Sequence, residues 1–482
     1  MVFNSYVFIL LFLPVTALLF YAGNKADARV GKLVLILASI IFYMWQQDWM
    51  ILFLGVSISI NYIAVRLIDR FSDRKRLLTT ITVLFNIGAL LYFKYRGFFI
   101  SIINNIFNTG FSLKEAAIPL GISFYTFQQI AYVLSFANKR ISDCSLWDYL
   151  AYILYFPKLT MGPITDPSEF ISQLNQDQRK KAKASNIASG LKLFCLGLFK
   201  KVVFADVFAK TVSWGYSNVD SLSSVDTALL MLFYTLEIYY DFSGYSDMAV
   251  GASCLFNIDL PMNFDSPYKA VSIRDFWKRW HISLTSFFTK YLYIPLGGSR
   301  KGKVMTYVNM MLVFLVSGLW HGANWTFVLW GTINGMLACL EREFDEQNNK
   351  IPALIRWVLT FGMINILWLL FSAPSVAVWK QLILNMFSFR DLSISNKMLE
   401  SMTLYGWHIL EIIPGIGFLL SNVKGLYKIL FLSVALLICL FLENNYRNKE
   451  KLDTVSLVIS SLCFIWGLLA LSNESSFVYF GF

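Results

Sequence analysis

The segment Asp241–Gly335 decides how this chain folds, and it contains FWKRWH at Phe276–His281 and SGLWHGANW at Ser317–Trp325. His281 and His321 lie in these two motifs, each among tryptophans, and the whole chain has only three histidines. Because burying an ionisable side chain in an apolar chain is costly, such a residue is a functional-site candidate. The two histidines are therefore the first residues to explain.

The composition of the chain is that of a membrane protein. Of its 482 residues, 57% are hydrophobic and 15% are charged, whereas soluble domains carry about 25% charged residues. The net charge of +11 comes from Lys and Arg in short loops between apolar runs, which indicates membrane topology rather than nucleic-acid binding. The six cysteines are scattered without C-x-x-C spacing, so we expect neither a disulfide framework nor a metal site.

Apolar runs long enough to cross a bilayer recur along the whole chain. We predict an all-α polytopic integral membrane protein with about ten to twelve membrane helices, together with re-entrant and interfacial helices. The predicted spans are about 6–22, 33–47, 49–67, 78–93, 190–212, 227–250, 306–320, 325–340, 354–372, 405–421, 425–443 and 454–472, with further apolar runs near 119 and 149–161. Residues 97–109 favour an interfacial helix, and Pro157 and Gly162 predict broken backbone.

Basic loops set the predicted orientation, because cytoplasmic loops carry an excess of Lys and Arg. The basic residues of the three loops are Lys25, Arg29 and Lys32, then Arg70, Arg74, Lys75 and Arg76, and finally Arg447, Lys449 and Lys451. If all three loops are cytoplasmic, the N- and C-termini are extracytoplasmic. The polar stretch 164–189 is interpreted as a cytoplasmic loop or a surface helix.

Three acidic residues, Glu237, Asp241 and Asp247, interrupt the apolar run 227–250. Glu237 and Asp241 are four residues apart and share one face if the segment is helical. Acids inside a span need partners, and the nearest basic residues in the sequence are Arg274, Lys278 and Arg279. A buried ion pair that fixes helix registry and a substrate-lining role both explain the acids, and both stay open.

The segment after Ser272 is predicted to form a helix of about 20 residues, because Ser272 and Asp275 have capping-box spacing. Pro295 and the two glycines that follow mark its end. Arg274 and Lys278 are four residues apart, and His281 follows Lys278 at i+3. Cations next to tryptophans fit either the cytoplasmic interface or the wall of a polar tunnel, and a phosphate-bearing cofactor would suit them.

His321 lies in a span that contains two glycines. Gly318 and Gly322 are four residues apart, which allows another helix to approach closely. Ser317 at i−4 and Asn324 at i+3 can reach the same face as His321 if the helix continues. A neutral imidazole there could accept a proton from an attacking hydroxyl, and a hydrogen bond between helices is the alternative role.

Other chemistries have less support in the sequence. No H-E-x-x-H, G-x-S-x-G or G-x-G-x-x-G motif occurs, which argues against a zinc protease, a hydrolase and a dinucleotide-binding enzyme. The third histidine, His408, is interpreted as a residue that forms a hydrogen bond between helices. The paired acids on their own allow a proton-coupled transporter.

Four long motifs together resemble one known family. They are Tyr239–Ala249, Asp275–Leu284, Tyr291–Gly298 and Ser317–Trp325. Pro119–Phe127, Phe156–Pro163 and Phe477–Phe482 fit as well. The chain resembles the membrane-bound O-acyltransferase (MBOAT) family over nearly its whole length, in the branch of the bacterial alginate O-acetyltransferase membrane subunit.

The resemblance implies one membrane-embedded acyltransferase domain, residues 1–482, with a catalytic core at about 119–340 and a funnel that reaches towards the bilayer centre. It implies that His321 is catalytic and that His281, where many eukaryotic relatives have Asn or Asp, is a second base or a positioning group. The other residues expected to line the donor tunnel are Arg274, Trp277, Lys278, Arg279, Trp280, Asp241, Ser243, Ser317 and Asn324.

The implied reaction moves an acetyl group from a cytoplasmic donor, acetyl-CoA, towards an exported polysaccharide. The implied partners are an extracytoplasmic acetyltransferase and the polysaccharide secretion machinery, in a bacterial inner (plasma) membrane, with no resident cofactor and no nucleic acid. Alginate, cellulose, peptidoglycan and other exopolysaccharides are all compatible acceptors. The alternatives are D-alanyl transfer to teichoic acid from a carrier protein, and a transporter or scaffold without chemistry.

Overall fold

The computed structural model describes residues 1–47, 49–112, 117–141, 145–348, 350–404, 426–471 and 477. Every regular element in these ranges is a helix, which confirms the all-α prediction. The helices belong to two compact units, which are described separately. The prediction of a single acyltransferase domain stays a prediction.

The first unit consists of Met1–Phe194, Met248–Met262 and Lys449–Leu452. Its helices are α1 (Leu13–Ala26), preceded by a π-helical turn at Phe8–Phe12, α2 (Ala28–Met44), α3 (Ile51–Arg70), α4 (Lys75–Phe107), α5 (Ile122–Ala137), α6 (Leu146–Leu154), α7 (Phe156–Leu159), α8 (Pro167–Asn175) and most of α9 (Ala184–Phe199). Tyr155 interrupts the helix between α6 and α7, as the sequence predicted for this region. The separate interfacial helix predicted at 97–109 is wrong, because α4 continues unbroken for 33 residues. A helix satisfies its own backbone, so basic side chains within it do not end it.

The second unit consists of Cys195–Asp247, Asn263–Asn448 and Asp453–Phe482. After the end of α9 and a π-helical turn at Lys200–Ala205, its helices are α10 (Asp206–Ser217), α11 (Ser224–Cys254, which ends in the first unit), α12 (Ile273–Arg279), α13 (Ile282–Phe288), α14 (Lys303–His321), α15 (Trp325–Glu343), α16 (Asp345–Asn348), α17 (Ala353–Ser372), α18 (Val376–Met386), α19 (Asn396–Ser401), α20 (Leu426–Phe441) and α21 (Thr454–Ala470). Both candidate histidines therefore belong to this unit.

Five helices of the described residues are long and apolar enough to cross a bilayer. They are Phe8–Ala26, Ile51–Arg70, Ser72–Phe107, Lys303–His321 and Ala353–Ser372, and Tyr427–Phe441 and Thr454–Ala470 are shorter apolar helices. The predicted span 405–421, with His408, lies outside the described residues. The total of ten to twelve crossings stays a prediction.

Helices α14 and α15 pack with their backbones in contact, and this packing positions the end of α14. A Cβ atom on Gly318 would lie 2.3 Å from the carbonyl oxygen of Phe327, and one on Gly331 would lie 2.5 Å from that of Phe314. Only glycine allows so close an approach. The close helix contact predicted from Gly318 is present.

Candidate active site

One cavity of about 340 Å³ in the second unit is lined by both candidate histidines. Of the residues predicted from the sequence, it brings together Arg274, Trp277, Lys278, Trp280, His281, Ser317 and His321. On α14 the lining extends from Met310 to His321, about 16 Å at the helical rise of about 1.5 Å per residue. The cavity is thus elongated, with its wall made by α12 to α15.

His321 is the last residue of α14 and is buried. Its ring lies edge-on to three aromatic rings, with centroid distances of 4.8 Å to Trp320, 5.4 Å to Trp330 and 5.1 Å to Phe371. Trp330 comes from α15 and Phe371 from α17. Such packing fixes the plane of the imidazole and keeps water away from all but its cavity side.

The structure breaks the helix predicted after Ser272 at His281. Ser272 does cap α12, because its hydroxyl accepts from the backbone N–H of Asp275 at 3.0 Å. However, α12 ends at Arg279, Trp280 is extended, and His281 adopts a left-handed conformation with φ 45°. The prediction of one continuous helix is wrong, since the sequence has no Pro or Gly here to mark the break.

The turn places the His281 ring among aromatic side chains at the wall of the cavity. The residue is 2% exposed, and its ring lies edge-on to Phe242 at 4.7 Å. Burial lowers the pKa of the His281 imidazole to about 3, because the charged form loses its hydration. The imidazole is therefore neutral at physiological pH and can donate one hydrogen bond and accept another.

Trp277 on α12 and Trp280, which directly follows α12, pack against α15 and α17. The indole N–H of Trp277 donates to the amide oxygen of Asn334 at 3.1 Å, and Trp280 packs on Trp368 with centroids 4.8 Å apart. Asn334 is fully buried on α15, and we did not predict it from the sequence. Nothing near Asn334 in the sequence carries a charge or a motif that would have drawn attention to it.

Cations line the other end of the cavity. Arg274 bonds to Asp345 at 3.2 Å, and the backbone N–H groups of Ile273 and Arg274 both donate to the carboxylate of Glu341. Lys278 and Arg342 are exposed at the surface. Arg342 was missed because it follows a predicted span, where a basic residue is expected for topology alone.

Four predicted lining residues lie elsewhere: Arg279, Asp241, Ser243 and Asn324. Arg279 bonds to Asp275 at 2.8 Å, and Ser243 is buried on α11. The prediction that Asn324 shares a helical face with His321 is wrong, because α14 ends at His321 and Gly322 is extended. Asn324 instead caps α15, accepting from the N–H of Thr326 at 3.1 Å, and donates to the carbonyl of Pro374.

Asp241 belongs to a buried ion pair with a lysine distant in sequence. Lys201 lies 2.7 Å from Asp241 and 2.8 Å from Asp206, and Lys200 lies 2.8 Å from Asp247. The expectation that Arg274, Lys278 and Arg279 pair with these acids is wrong. Lys201 lies 40 residues before Asp241, and the π-helical turn at Lys200–Ala205 carries both lysines. For Asp241 the geometry favours the ion pair over the lining role.

Comparison with known proteins identifies the family. Residues 33–380 match the model of the membrane-bound O-acyltransferase family. The chain is 33% identical to the peptidoglycan O-acetyltransferase of Helicobacter pylori, over 100% of this chain and 98% of that protein. It is 36% identical to the "Probable alginate O-acetylase AlgI" of Pseudomonas aeruginosa, over 82% of this chain and 76% of that protein.

A more distant relative is the teichoic acid D-alanyltransferase of Streptococcus thermophilus, which is 27% identical over 45% of this chain and 55% of that protein. The family resemblance of the four sequence motifs is therefore confirmed, as is the expectation of a polytopic membrane enzyme. The transporter and scaffold alternatives lose their support. This chain belongs to the membrane-bound O-acyltransferase family, and it is an O-acyltransferase.

Proposed function

We propose that the protein transfers acetyl groups from cytoplasmic acetyl-CoA to an exported polysaccharide, with the cavity described above as the donor tunnel. One observation carries the proposal: the same cavity has Arg274, Lys278 and Arg342 in its wall together with His281 and His321. Phosphates form charge-assisted hydrogen bonds with such cations. An acyl thioester on a long flexible arm could then reach the histidines past the apolar side chains between them.

His321 would act as the general base in this reaction. Its neutral imidazole takes the proton of the acceptor hydroxyl as the oxygen attacks the thioester carbonyl. The new C–O bond forms, the C–S bond breaks, and the imidazolium returns the proton to the departing thiolate. His281, neutral in its buried turn, would donate a hydrogen bond to a reacting group or help to orient it.

The cationic end of the tunnel would face the cytoplasm. Lys303 at the start of α14 pairs with Glu343 at the end of α15, so this end lies next to the loop 297–303, which carries Arg300, Lys301 and Lys303. Basic loops favour the cytoplasmic side. In this orientation the protein lies in the inner membrane with both termini outside, and the acetyl group leaves through an extracytoplasmic acetyltransferase partner.

Peptidoglycan is the acceptor that we propose to test first. The similarity to a peptidoglycan O-acetyltransferase extends over both chains almost completely, whereas the similarity to the alginate O-acetylase covers 82% of this chain. D-alanyl transfer is the second candidate, since a teichoic acid D-alanyltransferase is also related over 45% of the chain.

The test is acetyl transfer by the full chain in cells that lack their own membrane-bound O-acetyltransferase but keep the extracytoplasmic acetyltransferase partner. Base-labile acetate on purified peptidoglycan is measured for the wild type and for His321→Ala at equal protein level. We expect acetylation by the wild type and a background level for the variant. Full acetylation by His321→Ala would overturn the mechanism. In reconstituted vesicles, label transferred from a D-alanyl carrier protein but not from acetyl-CoA would establish the second candidate instead.

A further inference from the structure

The turn at His281 has a backbone conformation that residues with side chains rarely adopt. Its φ of 45° and ψ of 52° lie in the left-handed region, where only a few per cent of non-glycine residues are found. Strained backbone persists only where the surroundings hold it in place, and it concentrates at functional sites. The groups that hold this turn are therefore candidates for a role in the site.

Asn263 supplies the cap that helix α13 needs. The first backbone N–H groups of a helix have no partner within the helix and depend on an N-cap side chain. His281 is in the N-cap position of α13, but its side chain makes no capping hydrogen bond. Instead the N–H of Ile282 donates to the carbonyl of Asn263 at 3.0 Å, and the N–H of Ser283 donates to its amide oxygen at 3.2 Å.

The amide of Asn263 is itself held from two sides. The hydroxyl of Ser283 donates to its oxygen at 2.6 Å, and its N–H₂ group donates to the hydroxyl of Ser246 at 3.4 Å. Asn263 is 2% exposed, so water does not compete for these bonds. An external residue thus does the work of the cap, and the His281 ring lines the cavity instead of folding back on its own helix.

The same loop also secures the helix before the break. The backbone N–H of Asp265 donates to the carbonyl of Arg279, the last residue of α12, at 2.9 Å. The carboxylate of Asp265 accepts two hydrogen bonds of 2.6 Å from Arg447. The loop from Asn263 to Asp265 therefore bonds to both sides of the turn.

We propose that Asn263 is a positioning residue for acyl transfer, acting through His281. It holds the strained turn that directs the His281 imidazole into the cavity and does not contact the substrate itself. The proposal rests on the function proposed above, in which His281 takes part in the reaction.

The first test compares Asn263→Ala with Asn263→Asp in the reconstituted enzyme. Since a misplacement of about 1 Å can cost about 100-fold in rate, we expect Asn263→Ala to lower kcat by roughly 10- to 100-fold and to leave the KM for acetyl-CoA nearly unchanged. Asn263→Asp keeps an oxygen acceptor for Ser283 and should recover most of kcat. Asp453→Ala removes an ordinary cap from α21, where the carboxylate accepts from Ser456 at 2.8 Å, and should leave kcat unchanged.

The second test does not depend on catalysis. Carbethoxylation of His281 by diethyl pyrocarbonate, followed by mass spectrometry of its peptide, should be several-fold faster in Asn263→Ala than in the wild type or Asp453→Ala. Unchanged labelling would overturn the proposed clamp even if the enzyme proved to use another donor. Full kcat in Asn263→Ala, or no recovery in Asn263→Asp, would also overturn the proposal. Faster labelling together with a fully active His281→Ala would leave His321 as the base and reject a positioning role for Asn263.

Discussion

Replacing Gly318 with alanine should disable the enzyme through the packing of two helices, without touching a reacting group. Gly318 lies one turn before His321 on α14 and faces α15. Its added Cβ would lie 2.3 Å from the carbonyl oxygen of Phe327 and 3.1 Å from the Cα of Gly331. Both neighbours are backbone atoms, so neither can move without moving α15.

The size of the effect follows from these distances. An ordinary van der Waals contact starts at 3.4 Å, so the helices must separate by about 1 Å. Overpacking of this kind costs about 1–3 kcal/mol, and the gain in helix propensity of about 0.5–1 kcal/mol does not offset it. The displacement moves His321 relative to Trp330 on α15, and a shift of about 1 Å costs about 100-fold in rate.

The chain offers a matched control for this substitution. Gly362 lies in α17, where a Cβ would meet nothing within 4 Å. Gly362→Ala should therefore be as active as the wild type and stabilised by about 0.5–1 kcal/mol. Peptidoglycan acetylation at equal protein level and the thermal midpoint in detergent measure both variants. If Gly318→Ala matched Gly362→Ala in both measurements, the packing argument would be refuted.

Two further predictions test charged groups. Arg342→Ala should raise the KM for acetyl-CoA by about 5- to 10-fold, allowing for the exposure of the side chain. The same substitution should not change the KM for S-acetylpantetheine, because that donor lacks phosphates. An equal rise in KM for both donors would contradict a phosphate-binding role. Arg447 lowers the pKa of the Asp265 carboxyl by hydrogen bonding to its charged form. The pair therefore stabilises the folded protein at pH values above the ordinary pKa of an aspartate, about 3.9. This stabilisation is lost as the pH falls through the lowered pKa of Asp265. The difference in thermal midpoint between the wild type and Asp265→Asn should therefore shrink from about pH 7 to about pH 3, and a constant difference would contradict the assignment.

Local signals in the sequence predicted several features around the candidate site. The structure contains the cap at Ser272, the close helix approach at Gly318, and Arg274 and Lys278 in the cavity wall. Each of these could be predicted from a few neighbouring residues. Helical spacing also predicted correctly that Ser317 and His321 share a wall. These features depend on periodicity and capping, which act over one or two turns of helix.

The features that were missed depend on residues far apart in the chain. The break at His281 is held by Asn263, 18 residues earlier, and no glycine or proline marks the turn in the sequence. The partner of Asp241 is Lys201, because a π-helical turn 40 residues away brings the lysine to it. A side chain that bonds to a distant segment produces no periodic pattern in its own segment. These contacts could therefore be found only in the structure.

His281 has to supply an imidazole and also to adopt a left-handed backbone conformation, and substitution by alanine alone would not distinguish these two requirements. Asparagine, aspartate and histidine adopt the left-handed conformation more readily than other residues with side chains, whereas alanine rarely does. The position therefore has a backbone requirement as well as a chemical one. His281→Ala would lose the imidazole and also strain the turn, whereas His281→Asn would keep the turn and remove only the imidazole. Activity lost in both variants would assign the role to the imidazole, and activity kept by His281→Asn would assign it to the turn.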